Sequence, residues 1–413
     1  MIKQETVLLK NKIRLVLSQD KSKNQTYAEI IVNYGSMNNK YQIGKKKYKI
    51  KEGLAHLLEH FVVENNSYGN LLEYLNGKYV DCNACTSARQ TSFYINTVFD
   101  FETHLEELIR VVNNPVFDEE RLEEIKKPII EEIKRAKDRP YKKFSEKSNY
   151  CTYRDTKFHE TIGTEKSVKS ITVEDLKKIH DVFYQPQNQT IFIAGNFDIK
   201  KIKSLIEKIY DDMNKETIEY VVLDKKETAK VAHKKAHVVD SEYDELINLT
   251  FKVDISKLTP KEKVKATFYL SHFLDYNFND GSNAYKTLSD AKDTYYSINK
   301  STSFFLDDLC LVDLGMYGTN VKKFKSIVLD VLKNKYYDKE MFELWKKEAL
   351  INMIIRESRV YTSGRAYLDN IQTFNYFAND TIEDIEKFTI KDYKEFLEKL
   401  DFSNYLIVTQ TKK

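Results

Sequence analysis

Hydrophobic and polar positions change period repeatedly along this chain, and each change marks an element. Thr6–Leu9 and Ile13–Leu17 are apolar-rich runs separated by Lys10-Asn11-Lys12, the pattern of a hairpin. Tyr27–Tyr34 (YAEIIVNY) alternates and is β-branched until Gly35-Ser36 stops it, which predicts a strand. The polar, lysine-rich stretch that follows, up to Glu52, reads as a solvated loop. Gly53 then opens a helix apolar nearly all round, with Leu54, Ala55, Leu57, Leu58, Phe61, Val62 and Val63, and such a helix is a buried one. A short helix over Asn70–Asn76 leads through Gly77 to a strand-like Tyr79–Thr86. Thr91–Val98 (TSFYINTV) alternates again. Amphipathic helices are predicted at Glu102–Val112 and at Asp118–Lys137, the latter behind an Asp118 cap.

The remainder repeats this order. Val173–Phe183 reads as a helix, Gln189–Ala194 (QTIFIA) as a strand and Ile199–Asp211 as a helix. Lys215–Ala236 is charged and weakly periodic, the best stretch for an interdomain linker. Strand Leu246–Val253, long helix Pro260–Leu274, strands near Tyr295–Lys300 and Leu309–Tyr317, helices through Lys399 and a closing strand Phe402–Thr409 follow. At 413 residues the chain exceeds what one core ordinarily supports. The pattern therefore predicts an α+β protein built from two copies of one unit. They fall at residues 1–214 and 237–413, joined by 215–236, and share little residue identity.

Charge narrows the function classes. The 66 basic and 63 acidic residues interleave and nearly cancel, leaving +3, so nucleic-acid binding is not expected. The N-terminal MIKQETVLLKNKIRLVLSQDK has no apolar run, and no stretch approaches 18 uninterrupted apolar residues. Neither a secretory signal nor a membrane span is expected. Cys82 and Cys85 form a lone C-x-x-C, weak evidence for a metal or redox site. With Cys151 and Cys310 they read as free thiols of a cytoplasmic protein.

The buried helix carries the chemistry. His56 and His60 lie four residues apart and project from one helical face, with Glu59 bordering it. Two neutral imidazoles beside a carboxylate suit a catalytic zinc site: two ligands, and a base for water. This is the inverted H-x-x-E-H motif of metallopeptidases. A third ligand is needed, and the acidic candidates cluster in LEEIKKPIIEEIKRAKDRP, residues 122–140. Glu132 shares its face with Ile125, Ile129 and Ala136 and points inward. Glu131 shares its face with Glu124, Lys127, Lys134 and Arg135 and points to solvent. A glutamate on an apolar stripe must be paired, protonated or on a metal, which makes Glu132 the first candidate and Glu131 the second.

At this point a family resemblance enters. GLAHLLEHF resembles the zinc helix of the pitrilysin and insulin-degrading enzyme family. The chain is similar in length to the small bacterial relatives of mitochondrial processing peptidase. VDCNACTSARQTSFYI resembles the family's following strand pair, and IIEEIKRAKDRP its E-E-I with a later D-x-P, which again selects Glu132. Residues 158–198 carry its G-T, I-T-x-x-D-L, Y-x-P and G-x-F segments. The resemblance implies two similar tandem α/β-sandwich domains of the mitochondrial-processing-peptidase type, forming half of a peptidase chamber. It further implies Zn2+ on His56, His60 and Glu132, Glu59 as base, and short or unfolded peptides as substrates. The substrate would pair as a strand beside Tyr79–Thr86, touching Asn83 and Ala84, although Asn83 equally suits a local turn contact.

Two departures from the family pattern change the expectations. A glutamate often found seven residues before the ligand is Ile125 here, with Glu124 beside it. Active members or their partner subunits carry an Arg and a Tyr seven residues apart that hold the substrate carbonyl. The matching LSDAKDTYY, residues 288–296, has Tyr296 but Ser289 in the arginine position. The expected partner is therefore a related, zinc-less subunit supplying Arg and Tyr. The expected role is peptide processing, including leader-peptide or bacteriocin precursor maturation, and the alternative is a non-catalytic scaffold subunit of the same family.

Overall fold

A computed structural model of the chain describes residues 2–156, 158–213, 217–224, 226–240, 244–293, 297–305, 308–378 and 381–412. Two compact units emerge: Met1–Asp138 with His159–Asp224 and Glu357–Leu368, and Arg139–Phe158 with Lys225–Arg356 and Asp369–Lys413.

The first unit is built on strands β1 (Lys3–Leu8), β2 (Arg14–Gln19), β3 (Thr26–Val32), β4 (Lys40–Ile43), β5 (Lys46–Lys49), β6 (Asp81–Thr86), β7 (Thr91–Thr97), β8 (Gln189–Gly195) and β9 (Val221–Val222). Six of them form one sheet in the order β1-β2-β8-β3-β7-β6, and β5-β4-β9 form a small second sheet. The β4–β5 hairpin falls where the lysine-rich loop was expected. Lys40, Lys46, Lys47 and Lys49 are exposed there and mask the strand pattern. Yet Tyr41 is buried and stacks on Tyr48 with ring centroids 5.0 Å apart, and Gly44 turns the chain at φ +54°.

Helices α1 (Leu54–Glu64), α2 (Leu71–Asn76), α3 (Phe101–Asn113) and α4 (Glu119–Lys137) belong to this unit. As its pattern predicted, α1 is buried almost throughout, packing against β6, β7, α3 and α4. Each fully buried Leu or Phe there contributes about 1.5–3 kcal/mol. Asp118 caps α4, its carboxylate accepting from the Arg121 N–H at 2.7 Å. The buried stripe of α4 is Leu122, Ile125, Ile129, Ile133 and Ala136. Two glycines fix the start of α1. Gly53 has φ +79° and Gly163 φ +71°, and a Cβ on Gly163 would lie 2.6 Å from the Gly53 Cα. Both positions thus require glycine for conformation and for contact.

The second unit has strands β10 (Lys235–Asp240), β11 (Leu246–Asp254), β12 (Asn299–Phe305), β13 (Leu309–Tyr317) and β14 (Tyr405–Lys412), in the order β10-β14-β11-β13-β12. This reproduces β2-β8-β3-β7-β6 strand for strand. In each sheet the first pair is parallel (β2 with β8, β10 with β14) and the remaining three pairs are antiparallel. The two mixed α/β units are copies of one topology.

The units interleave in sequence, unlike the single cut expected at 215–236. Helix Lys142–Thr152 packs on β10 and β14 and so belongs to the second unit. Residues Glu357–Leu368 belong to the first, where Arg365 pairs with Glu29 at 2.6 Å. Parts of the expected linker are also held in place. Asp224 accepts from the Asn39 N–H at 2.9 Å in the first unit, and Glu227 pairs with Lys252 at 2.6 Å in the second. No described helix is long and apolar enough to cross a membrane.

Candidate active site

Two helices of the first unit and one strand edge build the site. His56, Glu59 and His60 come from α1, and Glu132 from α4. The imidazoles lie with ring centroids 4.7 Å apart, and His56 Nε2 is 3.8 Å from Glu132 Oε2. One ligand atom from each of His56, His60 and Glu132 falls within 4.8 Å of the others. Glu131 points away, pairing with Lys134 at 2.7 Å with 63% of its side chain exposed, so helix geometry had separated the two glutamates. Glu124 is outside the site too, pairing with Arg121 at 2.6 Å. Ile125 is buried, leaving an apolar side chain where the family pattern has a glutamate.

Electrostatics prepare these groups differently. Burial, helped by the neighbouring His60, pushes His56 down to about 4, so at neutral pH it is an uncharged imidazole with a free lone pair. Its Nδ1 is buried and has no hydrogen-bond partner among the described residues. For His60, burial acts downward, but the Glu64 hydrogen bond and the surrounding carboxylates outweigh it and hold the imidazole above its ordinary range. Glu64 Oε1 sits 3.0 Å from His60 Nδ1, which leaves Nε2 to face the other donors. Arg121 approaches the same Glu64 at 3.7 Å. Glu59 is 7% exposed, and burial pushes its carboxyl above the usual range despite the Thr86 hydroxyl donating to it at 2.5 Å.

The donor set fits zinc. Two imidazoles and one carboxylate suit a borderline cation with three protein ligands. A carboxylate orienting the far nitrogen of a ligating histidine is the usual support for such a ligand. A cavity of about 430 Å³ surrounds the group and reaches the edge strand at Asn83, Ala84, Cys85 and Thr86. Asn83 lies within β6, and its Oδ1 accepts from the neighbouring Ala84 N–H at 2.9 Å. Tyr296 lies outside the described residues. Ser289 is half-buried in helix Asn283–Asp290.

Sequence reasoning missed two participants. Glu64 lies four residues past His60, on the face already identified, so helical spacing could have found it. Thr86 approaches Glu59 only through the packing of β6 on α1, and no local pattern announces it.

Comparison with known proteins adds the following. The insulinase family, peptidase family M16, matches residues 14–165, and the peptidase M16 inactive domain matches residues 170–339. Over 211 residues the chain is 29% identical to YmfH of Bacillus subtilis (strain 168), described as an uncharacterized zinc protease, covering 50% of this chain and 49% of that one. The chain spans about half the length of that relative. Among solved structures it is similar to an M16-like peptidase from Alicyclobacillus acidocaldarius, with TM-score 0.85 at 19% identity, covering 100% and 99% of the two chains. Pitrilysin shares the fold with TM-score 0.71 at 16% identity over 100% of this chain and 45% of that one.

Proposed function

Because the chain belongs to peptidase family M16, the insulinase family, we propose that it is a zinc-dependent endopeptidase subunit acting on short or unfolded peptides. The convergence of His56, His60 and Glu132 beside the buried Glu59 carries this reading. Zinc held by those three residues would supply Lewis-acid chemistry, polarising a peptide carbonyl and lowering the pKa of water to about 7. Glu59 takes the proton of the attacking water and returns it to the leaving amine. Its raised carboxyl suits that exchange, since an acid–base group works best near the operating pH. The Thr86 hydroxyl fixes the rotamer of Glu59.

The exposed edge of β6 lies beside these groups, because β6 closes its sheet on that side. A peptide adding there as a further strand would gain backbone hydrogen bonds, with Asn83 and Ala84 among its neighbours. The proposed compartment is the cytoplasm, where the unpaired thiols of Cys82, Cys85, Cys151 and Cys310 persist. Processing of a leader peptide or bacteriocin precursor fits such a peptidase, and the intact base Glu59 argues against a purely scaffolding subunit. Glu59→Gln is the test. The variant should keep fold and zinc yet lose at least about 10²-fold in peptide hydrolysis. Hydrolysis within a factor of a few of wild type would remove Glu59 from this role.

A further inference from the structure

The opposite face of the first sheet holds a second cavity that the chemistry above does not use. Along β6, Thr86 and Cys82 face the helices, Thr86 through Glu59 and Cys82 through a 3.7 Å contact to the Leu72 carbonyl. Asp81, Asn83 and Cys85 therefore face the other way, since side chains alternate along a strand. On that side a cavity of about 450 Å³ is lined by Tyr27, Tyr94 and Tyr361 together with Asp81, Asn96 and Lys23. Tyr27 stacks on Tyr94 with centroids 5.4 Å apart and meets Tyr361 edge-on at 4.7 Å.

Charge distinguishes this cavity from an ordinary aromatic cluster. Glu29 on β3 is buried, and Arg365 neutralises it at 2.6 Å while the Tyr27 hydroxyl donates to it at 3.1 Å. Lys23 is 3.7 Å from Asp20. Asp81 is exposed, and its carboxylate has no hydrogen-bond or ion-pair partner among the described residues. Of the two charged residues lining the cavity, Lys23 reaches toward Asp20, and Asp81 stands beside the tyrosine rings with no hydrogen-bond or ion-pair partner among the described residues.

We propose that this cavity is a substrate side-chain subsite for a lysine or arginine of the bound peptide, with Asp81 as the residue that sets the preference. The proposal rests on the reading that peptides add as a strand to β6. Directly opposed residues on neighbouring strands stand about 4.5–5.5 Å apart, close enough for an ion pair with Asp81. A long cationic side chain then extends along Asp81 to the tyrosine faces, which attract cations through their π-electrons. Cys85, at the end of the strand beside Glu59, lies four positions on from Asp81, about 13 Å at 3.3 Å per residue. The basic residue recognised here would accordingly lie roughly four residues from the cleaved bond.

The test uses the full zinc-loaded chain carrying Glu59→Gln, which leaves peptides uncut. Labelled unstructured peptides with one lysine walked through successive positions are titrated by fluorescence anisotropy, each against its norleucine counterpart. Lysine at one register should bind about tenfold more tightly than norleucine, and Asp81→Asn should abolish that difference. Asp81→Lys should reverse it in favour of glutamate, with thermal melting showing that both variants fold. Equal affinity for lysine and norleucine at every position, or a preference that survives Asp81→Asn, would overturn the subsite and leave the peptidase reading intact. Failure of every peptide to bind at millimolar concentration would overturn strand addition itself, and the subsite with it.

Discussion

The proposed metal site turns on single carboxylates and imidazoles that helical geometry already distinguishes. One zinc per chain is expected, with His56→Ala and Glu132→Gln losing it and Glu131→Gln keeping it, read by metal analysis of the purified proteins. Full zinc in Glu132→Gln would remove Glu132 as a ligand despite its 3.8 Å approach to His56. The motif and the inward face of Glu132 were legible because each follows from spacing within its own helix, α1 and α4. Thr86 was not, because its position depends on tertiary packing. Nor was the Lys252–Glu227 pair of the second unit, whose side chains are 0% exposed. Burial raises the Glu227 carboxyl, but Lys252 and the N–H groups of Arg154 and Thr156 overcome that and hold it below its ordinary range. Such a depressed carboxyl adds stability that is present above the unfolded value and lost as pH falls through the folded one. Lys252→Met leaves a buried charge unpaired and should cost about 3–5 kcal/mol at neutral pH. Without its partner Glu227 then favours protonation, so the deficit should shrink on acidification toward about pH 4. Urea denaturation of both proteins at the two pH values measures this, and a deficit that grows with acid would refute it.

The elements show where periodicity informs and where it fails. The residues forming α4 were legible from an Asp cap and a sustained apolar stripe, despite Pro128 in the helix interior. Helix Lys142–Thr152 was not, because only Phe144, Cys151 and Thr152 of its eleven residues are buried, too few to make a stripe. The glycine pair at the start of α1 lies between these cases. Gly53 was legible as a helix boundary, but its partner lies 110 residues later and only the fold brings them together. Gly163→Ala forces a Cβ to 2.6 Å from Gly53 backbone atoms and places alanine at φ +71°. The left-handed conformation alone costs about 1–2 kcal/mol, and the clash must move the start of α1 as well. A lowered melting temperature together with weaker zinc binding is expected. A variant that melts lower yet binds zinc unchanged would mean that α1 is positioned by its packing alone.

At the scale of the whole chain the fold is duplicated but the chemistry is not. The sheet order of the first unit recurs in the second, and α1 corresponds in chain order to helix Pro260–Phe278, between the matching strands. That helix, PKEKVKATFYLSHFLDYNF, has one histidine, His272, and no inverted motif. Burial pushes His272 down to about 4, and its ring packs 5.1 Å from Trp345, as a core residue would. The topology was legible because strand and helix order survive where identity does not. The asymmetry was legible because a motif is either present or missing. It motivates the last prediction. The family resemblance implies an Arg and a Tyr at positions 289 and 296 to hold the substrate carbonyl, yet Ser289 stands in the expected arginine position, half-buried in its helix. A serine hydroxyl cannot match the charge or reach of a guanidinium, and losing one oxyanion donor costs roughly 3–4 kcal/mol. Pairing two copies of this chain would set two zinc sites beside two incomplete clamps. A related subunit with Arg and Tyr but no inverted motif would complete one. The chain alone is therefore expected to bind zinc and cleave unfolded peptides slowly, with turnover rising at least about 10²-fold once such a partner is added. Steady-state hydrolysis with and without the partner, beside sedimentation of the mixture, measures both expectations. Vigorous turnover by the chain alone would mean that Tyr296 suffices, and the heterodimer would be unnecessary.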